Sequence, residues 1–168
     1  QGDVGRALLA GKPDEAAAMA RAWMDIFPNS YYLELHRTGR AREEEHIFGA
    51  VNLALALGLP VVATNDVRFI TQEEFEAHEV RVCIYDSRTL DDPRREHRYS
   101  DQQYLKTGEQ MCELFADIPE AIENTLEIAR RCSVDVDLGN YYLPEYPIPE
   151  GYATEGYFSE VSRDGLNL

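Results

Sequence analysis

Apolar side chains recur at two different spacings along the first 70 residues. From Pro13 to Phe27 and again over residues 42–57, they recur every three or four positions, which predicts two amphipathic helices. Each helix precedes a short aromatic or β-branched run, residues 31–36 and 59–64, which predicts a strand. The second run has no polar alternation, as expected of a strand covered on both faces. The order helix–strand–helix–strand therefore predicts α/β layering, with parallel strands joined by a crossover helix.

The positions of capping residues predict where the helices begin and end. Pro13 and Pro119 suit the first turn of a helix, and Gly58 suits a helix C-cap. After residue 70 the pattern becomes purely helical. Three sequences of the type S/T-x-x-E/Q, beginning at Thr71, Ser100 and Thr107, predict capping boxes at the starts of three helices.

The same periodicity predicts which helical side chains face a core. The apolar faces include Ala16, Met19, Ala20, Trp23, Met24 and Phe27; Ile47, Val51, Ala54 and Leu55; Phe75, His78, Val82 and Tyr85; Met111, Leu114 and Phe115; and Ala121, Ile122, Thr125, Leu126 and Ala129.

These patterns divide the chain into three parts. Residues 1–70 form the α/β part, residues 71–132 form a helical part, and residues 133–168 form a connector. The connector contains three prolines in six residues and many tyrosines. It is therefore predicted to be extended and packed through its aromatic rings, with a short helix from about Thr154.

Charge and composition narrow the class of protein. The 168 residues carry a net charge of −15, and most of the acidic excess lies in residues 71–168. Such acidity argues against autonomous nucleic-acid binding, which needs a positive surface. No apolar run is long enough to span a membrane. The chain also begins without Met, so we expect it to be a piece of a longer protein.

The cysteines argue against a disulfide framework or a zinc site. Cys83, Cys112 and Cys132 are odd in number and widely spaced, and no CxxC pair occurs. Each lies in an apolar stretch, so we expect buried free thiols, which fit a reducing cytoplasm.

Asp66 and Arg68 follow the second predicted strand, at the end where parallel α/β folds usually carry their chemistry. An Asp-x-His pair there would suit zinc or manganese, but arginine is a permanent cation and cannot ligate a metal. Two interpretations remain. Either the two side chains pair with each other or with a neighbour in place of a metal, or Asp66 caps the next turn and Arg68 faces solvent.

Two other groups of polar residues have weaker claims to a function. Glu34 and His36 alternate on the first strand, where a buried histidine beside a paired carboxylate is the ordinary outcome. The residues Arg88, Arg94, Arg95 and Arg98 form a basic cluster within the acidic middle of the chain. This cluster could contact a nucleic-acid backbone or an acidic partner, but we expect it to balance its acidic neighbours.

Longer stretches of the sequence resemble the alpha subunits of bacterial DNA polymerase III, the replicative family C polymerases. The matching segments, in order, are residues 2–6 (GDVGR), 32–35 (YLEL), 37–40 (RTGR), 58–70 (GLPVVATNDVRFI), 77–79 (AHE), 89–93 (TLDDP), 111–121 (MCELFADIPEA) and 140–144 (NYYLP). Together they cover essentially the whole chain, which makes the resemblance far more specific than any short motif.

The resemblance implies a fold and a site. The fold would be α/β: residues 1–70 would be the last strands and helices of a distorted (βα)₇ polymerase-and-histidinol-phosphatase (PHP) barrel. The helical segment 71–132 would pack on the barrel, and residues 133–168 would lead towards the palm domain. In metal-binding members of the family, the last strand supplies an Asp-x-His pair. Here the pair aligns with Asp66 and Arg68, so one ligand is kept and one is lost.

The resemblance also implies a function. The parent would be a DNA-directed DNA polymerase, a nucleotidyltransferase of DNA replication that uses Mg²⁺ and works in the cytoplasm. This segment would have no catalytic residue, metal or cofactor of its own. It would be a scaffold within the alpha subunit and a docking surface for the proofreading exonuclease subunit, while DNA and the sliding clamp would bind other domains. The alternative is a metal-dependent phosphoesterase or 3′→5′ exonuclease segment, with Asp66, His36 and Glu34 as ligands.

Overall fold

The structure is a computed structural model in which residues 2–166 are described. These residues form mixed helix and strand, and they divide into two compact units, residues up to Ser133 and residues from Val134 onward. The elements are α1 (Asp3–Leu9), α2 (Pro13–Ile26), β1 (Leu33–His36), α3 (Glu43–Leu57), β2 (Val61–Thr64), a 3₁₀ turn (Gln72–Glu74), α4 (Phe75–Asp86), α5 (Gly108–Leu114), α6 (Pro119–Arg131) and α7 (Thr154–Leu166).

The two strands of the first unit form a parallel sheet. They pair in register from Leu33 opposite Val61 to His36 opposite Thr64, and α3 is the crossover between them. Three of the four residues of β2 are buried, as its unbroken apolar sequence predicted. The predicted parallel arrangement is therefore confirmed, and it places the carboxyl ends of both strands at one edge of the sheet.

Most helix boundaries follow the capping residues. Pro13 and Pro119 lie in the first turns of α2 and α6. Gly58 ends α3 with a φ of +66°, a left-handed conformation that favours glycine. The capping boxes at Thr71 and Thr107 are both formed, before the 3₁₀ turn and before α5.

The core of the first unit lies between the sheet and the helices around it. Helices α1 and α2 pack against α3, α6 packs against β2, and α5 lies beside α6. Leu35 from β1 and Phe115 at the end of α5 are fully buried. The other core residues are mostly small or branched: Val4, Ala7, Ala16, Ala20, Leu33, Ile47, Ala50, Leu53, Ala54, Val61, Ala63 and Ala121.

One predicted helix does not form. The sequence beginning at Ser100 makes the hydrogen bond of a capping box, because the Ser100 N–H donates to Gln103 Oε1 over 3.0 Å. No helix follows it, since Tyr104 instead pairs with Phe69 in a parallel bridge. Long-range pairing therefore overrides a local helix signal. The sequence also did not predict α1, which lies at the beginning of the first unit.

Some expectations of burial are also wrong. Phe27, Leu55, Tyr85, Leu126 and Ala129 lie on predicted core faces but are exposed. A periodic pattern identifies an apolar face, but it does not show how far along that face the neighbouring elements extend. Only one of the three free cysteines is buried as expected; Cys83 is buried, whereas Cys112 and Cys132 are exposed.

The second unit contains an irregular segment followed by α7, whose start at Thr154 confirms the predicted short helix. The ring of Tyr157 lies 6.3 Å from that of Tyr146 and 5.5 Å from that of Tyr152, so part of the segment packs through aromatic rings. Tyr141 and Tyr142 are exposed, so the expected aromatic packing holds for only part of this segment.

Candidate functional site

A cleft of about 500 Å³ runs along β1 and reaches the carboxyl ends of the two strands. Strand β1 places Glu34 and His36 on its wall, and the residues after β2 contribute Asp66 and Arg68. The remaining lining comes from α1, from residues 31–33 at the beginning of β1, from the turn after β1 and from α3. Parallel pairing brings these groups together, because the two strands end side by side.

Asp66 is held by three side chains in this cleft. Its Oδ1 lies 2.7 Å from Arg68 Nη2, and its Oδ2 lies 3.1 Å from Arg40 Nη1. Gln103 Nε2 also donates to Oδ2 over 2.9 Å and to the Asp66 carbonyl oxygen over 3.1 Å. Asp66 has a φ of +45°, which is unusual for a residue other than glycine. We refer to Asp66, Arg68, Arg40 and Gln103 as the Asp66 cluster.

The partners of Asp66 are themselves fixed in place. The fully buried Gln103 accepts the Ser100 N–H through its Oε1. Arg40 Nε donates to Thr38 Oγ1 over 2.9 Å. The guanidinium of Arg68 lies over the ring of Tyr99, 5.4 Å from its centroid. Such support means that the cluster does not depend on a single flexible ion pair.

Of the two interpretations of Asp66 and Arg68, the structure shows the one in which the two side chains pair with each other. The sequence did not identify Arg40 or Gln103 as partners. Arg40 lies in the predicted turn after β1, but nothing local indicated that it would reach the loop after β2. Gln103 belongs to the capping sequence whose predicted helix does not form, and its amide is instead the buried support of Asp66.

Glu34 and His36 form a second polar group on the wall of the cleft. Glu34 Oε1 accepts a hydrogen bond from Thr64 Oγ1 over 2.7 Å and lies 3.3 Å from His36 Nε2. The His36 atom is buried and makes no well-aligned hydrogen bond. The imidazole of His36 and the hydroxyl of Thr64 lower the pKa of Glu34 to about 2. This carboxylate is therefore ionised throughout the physiological range.

His46 of α3 also lines the cleft, and it packs against the backbone of α1. A Cβ atom at Gly5 would lie only 3.0 Å from His46 Nε2, so a larger residue there would displace the ring. Burial lowers the pKa of His46 below its ordinary value, and the nearby His36 adds to the shift. His46 is therefore biased towards the neutral form.

The possible metal ligands named from the sequence do not converge. Within residues 2–166, no three His, Cys, Asp or Glu side chains form a set that could hold a metal ion. Glu34 and His36 face each other, whereas both carboxylate oxygens of Asp66 are engaged by the cluster. The contacts that the described residues make in the cleft are ion pairs and hydrogen bonds.

The arginines after α4 balance acidic neighbours, as expected. Arg94 is the most exposed of them, and its guanidinium lies 3.0 Å from a carboxylate. The pairs are Arg88 with Asp92, Arg94 with Asp92, Arg95 with Glu79, and Arg98 with Asp86. Each arginine of the basic sequence cluster therefore lies beside a carboxylate, with Asp92 shared by Arg88 and Arg94.

Comparison with known proteins gives one consistent result. The chain is 60% identical over 166 residues to DNA polymerase III subunit alpha of Pseudomonas fluorescens, and 55% identical over 166 residues to that of Pseudomonas aeruginosa. It is 54% identical over 165 residues to the Escherichia coli K12 subunit. The resemblance to the DNA polymerase III alpha subunit is confirmed.

The alignments with these alpha subunits cover 98–99% of the chain, so they include the Asp66 cluster. The chain itself spans about 14% of the length of each of the three DNA polymerase III alpha subunits. No family model matches the chain. Among residues 2–166, no helix is long and apolar enough to cross a membrane.

Proposed function

We propose that this chain is a segment of the catalytic alpha subunit of DNA polymerase III and serves DNA replication as part of that subunit. The observation that supports this is identity of 54–60% along nearly the whole chain to three such subunits. In the complete subunit, polymerisation and its Mg²⁺ ions would belong to other domains, as would binding of DNA and the sliding clamp. The subunit would work in the cytoplasm, where bacterial DNA is copied.

Within that subunit, the chain would form part of a (βα)₇ PHP barrel. The hydrogen bond from Leu33 N to the Pro60 carbonyl sets the phase of the parallel ladder, so the backbone groups of Glu34 face away from β2. They can therefore pair with a further strand. The outer edge of β2 is different, because Asn124 Nδ2 of α6 donates to the Val61 carbonyl over 2.8 Å. The open edge of β1 supports continuation of the sheet on that side.

The role proposed for the cleft is structural. The observation that supports it is the engagement of both Asp66 carboxylate oxygens by Arg40, Arg68 and Gln103. The two guanidinium groups supply positive charge beside the carboxylate, where a metal-binding site would place its ion, and they cannot act as ligands. The segment would then be a scaffold and would provide docking surface for the proofreading exonuclease subunit. Among residues 2–166, no set of three metal ligands supports the alternative of a metal-dependent phosphoesterase.

The scaffold role is tested in the complete alpha subunit by comparing native protein with Asp66→Asn. We expect neither protein, without the exonuclease subunit, to remove a mismatched 3′ nucleotide, and we expect primer extension to be unchanged. Asp135→Asn, at an exposed position of the second unit, is the matched control. A nuclease activity of the native subunit that Asp66→Asn abolishes would contradict the proposal.

The docking role needs a separate experiment, in which the 168-residue chain competes with the alpha subunit for the exonuclease subunit. Excess chain should reduce the amount of exonuclease subunit captured by immobilised alpha subunit. Capture that is unchanged at saturating chain would show that the docking surface lies elsewhere, and it would leave the scaffold role of the cleft intact.

A further inference from the structure

A second buried polar group lies away from the cleft, where the loop of residues 87–99 folds back on α4. Arg95 of this loop has a side chain only 10% exposed, and its Nη1 donates to Glu79 Oε2 over 2.6 Å. The Glu79 side chain is 7% exposed. At the end of the loop, the Tyr99 ring meets the His78 ring edge-on, with centroids 4.7 Å apart. Arg95 and Tyr99 thus anchor the loop to two consecutive residues of α4.

The contact contains buried polar atoms without hydrogen-bond partners. Glu79 Oε1 and His78 Nδ1 are both buried and unpartnered within the described part of the chain, and they lie 3.7 Å apart. This separation is just beyond hydrogen-bond length, so a small rotation of either side chain would join the two atoms. Burial of unpartnered polar atoms is costly, and such atoms call for an explanation.

We propose that His78 and Glu79 form a pH-sensitive latch for the loop of residues 87–99. In the protonated imidazolium, Nδ1 carries a hydrogen and donates it to Glu79 Oε1, so that Glu79 is held by His78 on one side and by Arg95 on the other. Charge-assisted hydrogen bonds of this kind are shorter and stronger than neutral ones. Histidine is the side chain whose charge ordinarily changes near neutral pH, so protonation of His78 tightens the latch as the pH falls.

The side chains that surround His78 determine whether another group changes its charge in the same place. The stretch before α4 contributes the uncharged Phe69 ring, 5.4 Å from His78, and the loop contributes Tyr99. Arg95 stays protonated at these pH values. His97 is the other group to consider, because its Nδ1 lies 3.2 Å from Arg95 Nη2. Protonation of His97 removes that acceptor and places two cations together, so it loosens the loop and opposes the latch.

The ion pairs of Asp92 do not change over the same range. Arg94 and the other contacts of Asp92 lower the pKa of that carboxyl group to about 2. Asp92 therefore keeps its charge, and its pairs with Arg88 and Arg94 persist, well below neutral pH. The loop also carries the ion pair of Arg98 with Asp86 of α4. Arg95 Nη1 also lies 3.8 Å from Sγ of the buried Cys83. A change in loop protection between mildly acidic and mildly basic pH thus reports on the two histidines and on this thiol.

The latch is tested in the 168-residue chain by amide hydrogen exchange, with rates corrected for their intrinsic pH dependence. Protection of residues 87–99 should be about three- to tenfold higher at about pH 5.5 than at about pH 8. His78→Gln and Glu79→Gln should abolish the rise, and His97→Gln should keep or enlarge it. Protection of α6 serves as the check that each variant is folded.

Two results would overturn the latch. The first is protection of the native loop that is the same at both pH values, which needs no variant at all. The second is a rise that survives unchanged in a folded His78→Gln chain, since another group would then be responsible.

Discussion

Arg37 joins three parts of the first unit, and its removal is the most informative stability experiment. It follows β1 directly, and its Nη1 donates to the Leu114 carbonyl oxygen of α5 over 2.7 Å. Its Nη2 donates to Asp117 Oδ2 over 2.9 Å, and its Nε donates to Glu44 Oε1 of α3 over 2.9 Å. The guanidinium also lies over the ring of Phe115, 5.1 Å from its centroid. The variant Arg37→Ala removes all four contacts.

The expected loss in the free energy of unfolding depends on how exposed each partner of Arg37 is. The side chains of Glu44 and Asp117 are 72% and 59% exposed, so each ion pair contributes at most about 0.5 kcal/mol. The bond to the partly buried Leu114 carbonyl contributes about 1 kcal/mol. The contact with the Phe115 ring adds roughly 0.5–1 kcal/mol. Adding these contributions, we expect Arg37→Ala to lower the free energy of unfolding by about 2–3 kcal/mol.

Urea unfolding followed by the fluorescence of Trp23, the only tryptophan, measures this loss. The matched control is Arg130→Ala, whose side chain is 72% exposed and pairs with Glu127 one turn earlier on the same helix. That control should change stability by less than about 0.5 kcal/mol. If Arg37→Ala proved no more destabilising than Arg130→Ala, the idea that Arg37 joins β1 to α5 would be wrong.

The pH dependence of the same contact has a definite sign. The hydrogen bonds from Arg37 lower the pKa of Asp117 below its ordinary value of 3.8. A carboxyl group whose pKa is lower in the folded state stabilises the fold above its unfolded pKa, and this stabilisation is lost as the pH falls through the folded value. The difference in stability between the native chain and Arg37→Ala should accordingly shrink below about pH 4, the ordinary range of an aspartate.

Two further measurements address the cleft and the core. The side-chain carboxyl carbon of Glu34, followed by ¹³C NMR, should titrate near pH 2, and His36→Ala should raise this pKa towards the ordinary 4.5. The contact with His36 stabilises the fold above pH 4.5, and this stabilisation is lost as the pH falls towards 2. A native midpoint near 4.5 would refute the pairing of Glu34 with His36. Phe115→Ala removes a fully buried ring and should lower the free energy of unfolding in urea by about 3–5 kcal/mol. Leu126→Ala, at a 58% exposed site, should lower it by less than about 1 kcal/mol. Equal losses in the two variants would contradict the described core.

Local signals in the sequence predicted much of the secondary structure because those signals act locally. A proline at Pro13 or Pro119 and a glycine at Gly58 determine helix ends through their own backbone preferences, and all three act as expected. The parallel pairing of β1 and β2 was also predictable, because a strand, a crossover helix and a second strand have few ways to pack.

Contacts between distant parts of the chain could not be predicted in the same way. Gln103 reaches Asp66 across 37 residues, and Arg40 reaches it across 26. Neither residue carries a local mark of that role. The capping sequence at Ser100 shows the limit clearly, because its local hydrogen bond forms but the chain then pairs with Phe69 instead of continuing as a helix.

The central claim is that guanidinium groups, and not a metal ion, balance the charge of Asp66. The most direct measurement is the zinc and manganese content of the dialysed alpha subunit, native and Asp66→Asn, by elemental mass spectrometry. The account predicts that the two proteins carry the same amount of each metal. A stoichiometric metal ion present in the native subunit and missing from Asp66→Asn would contradict it.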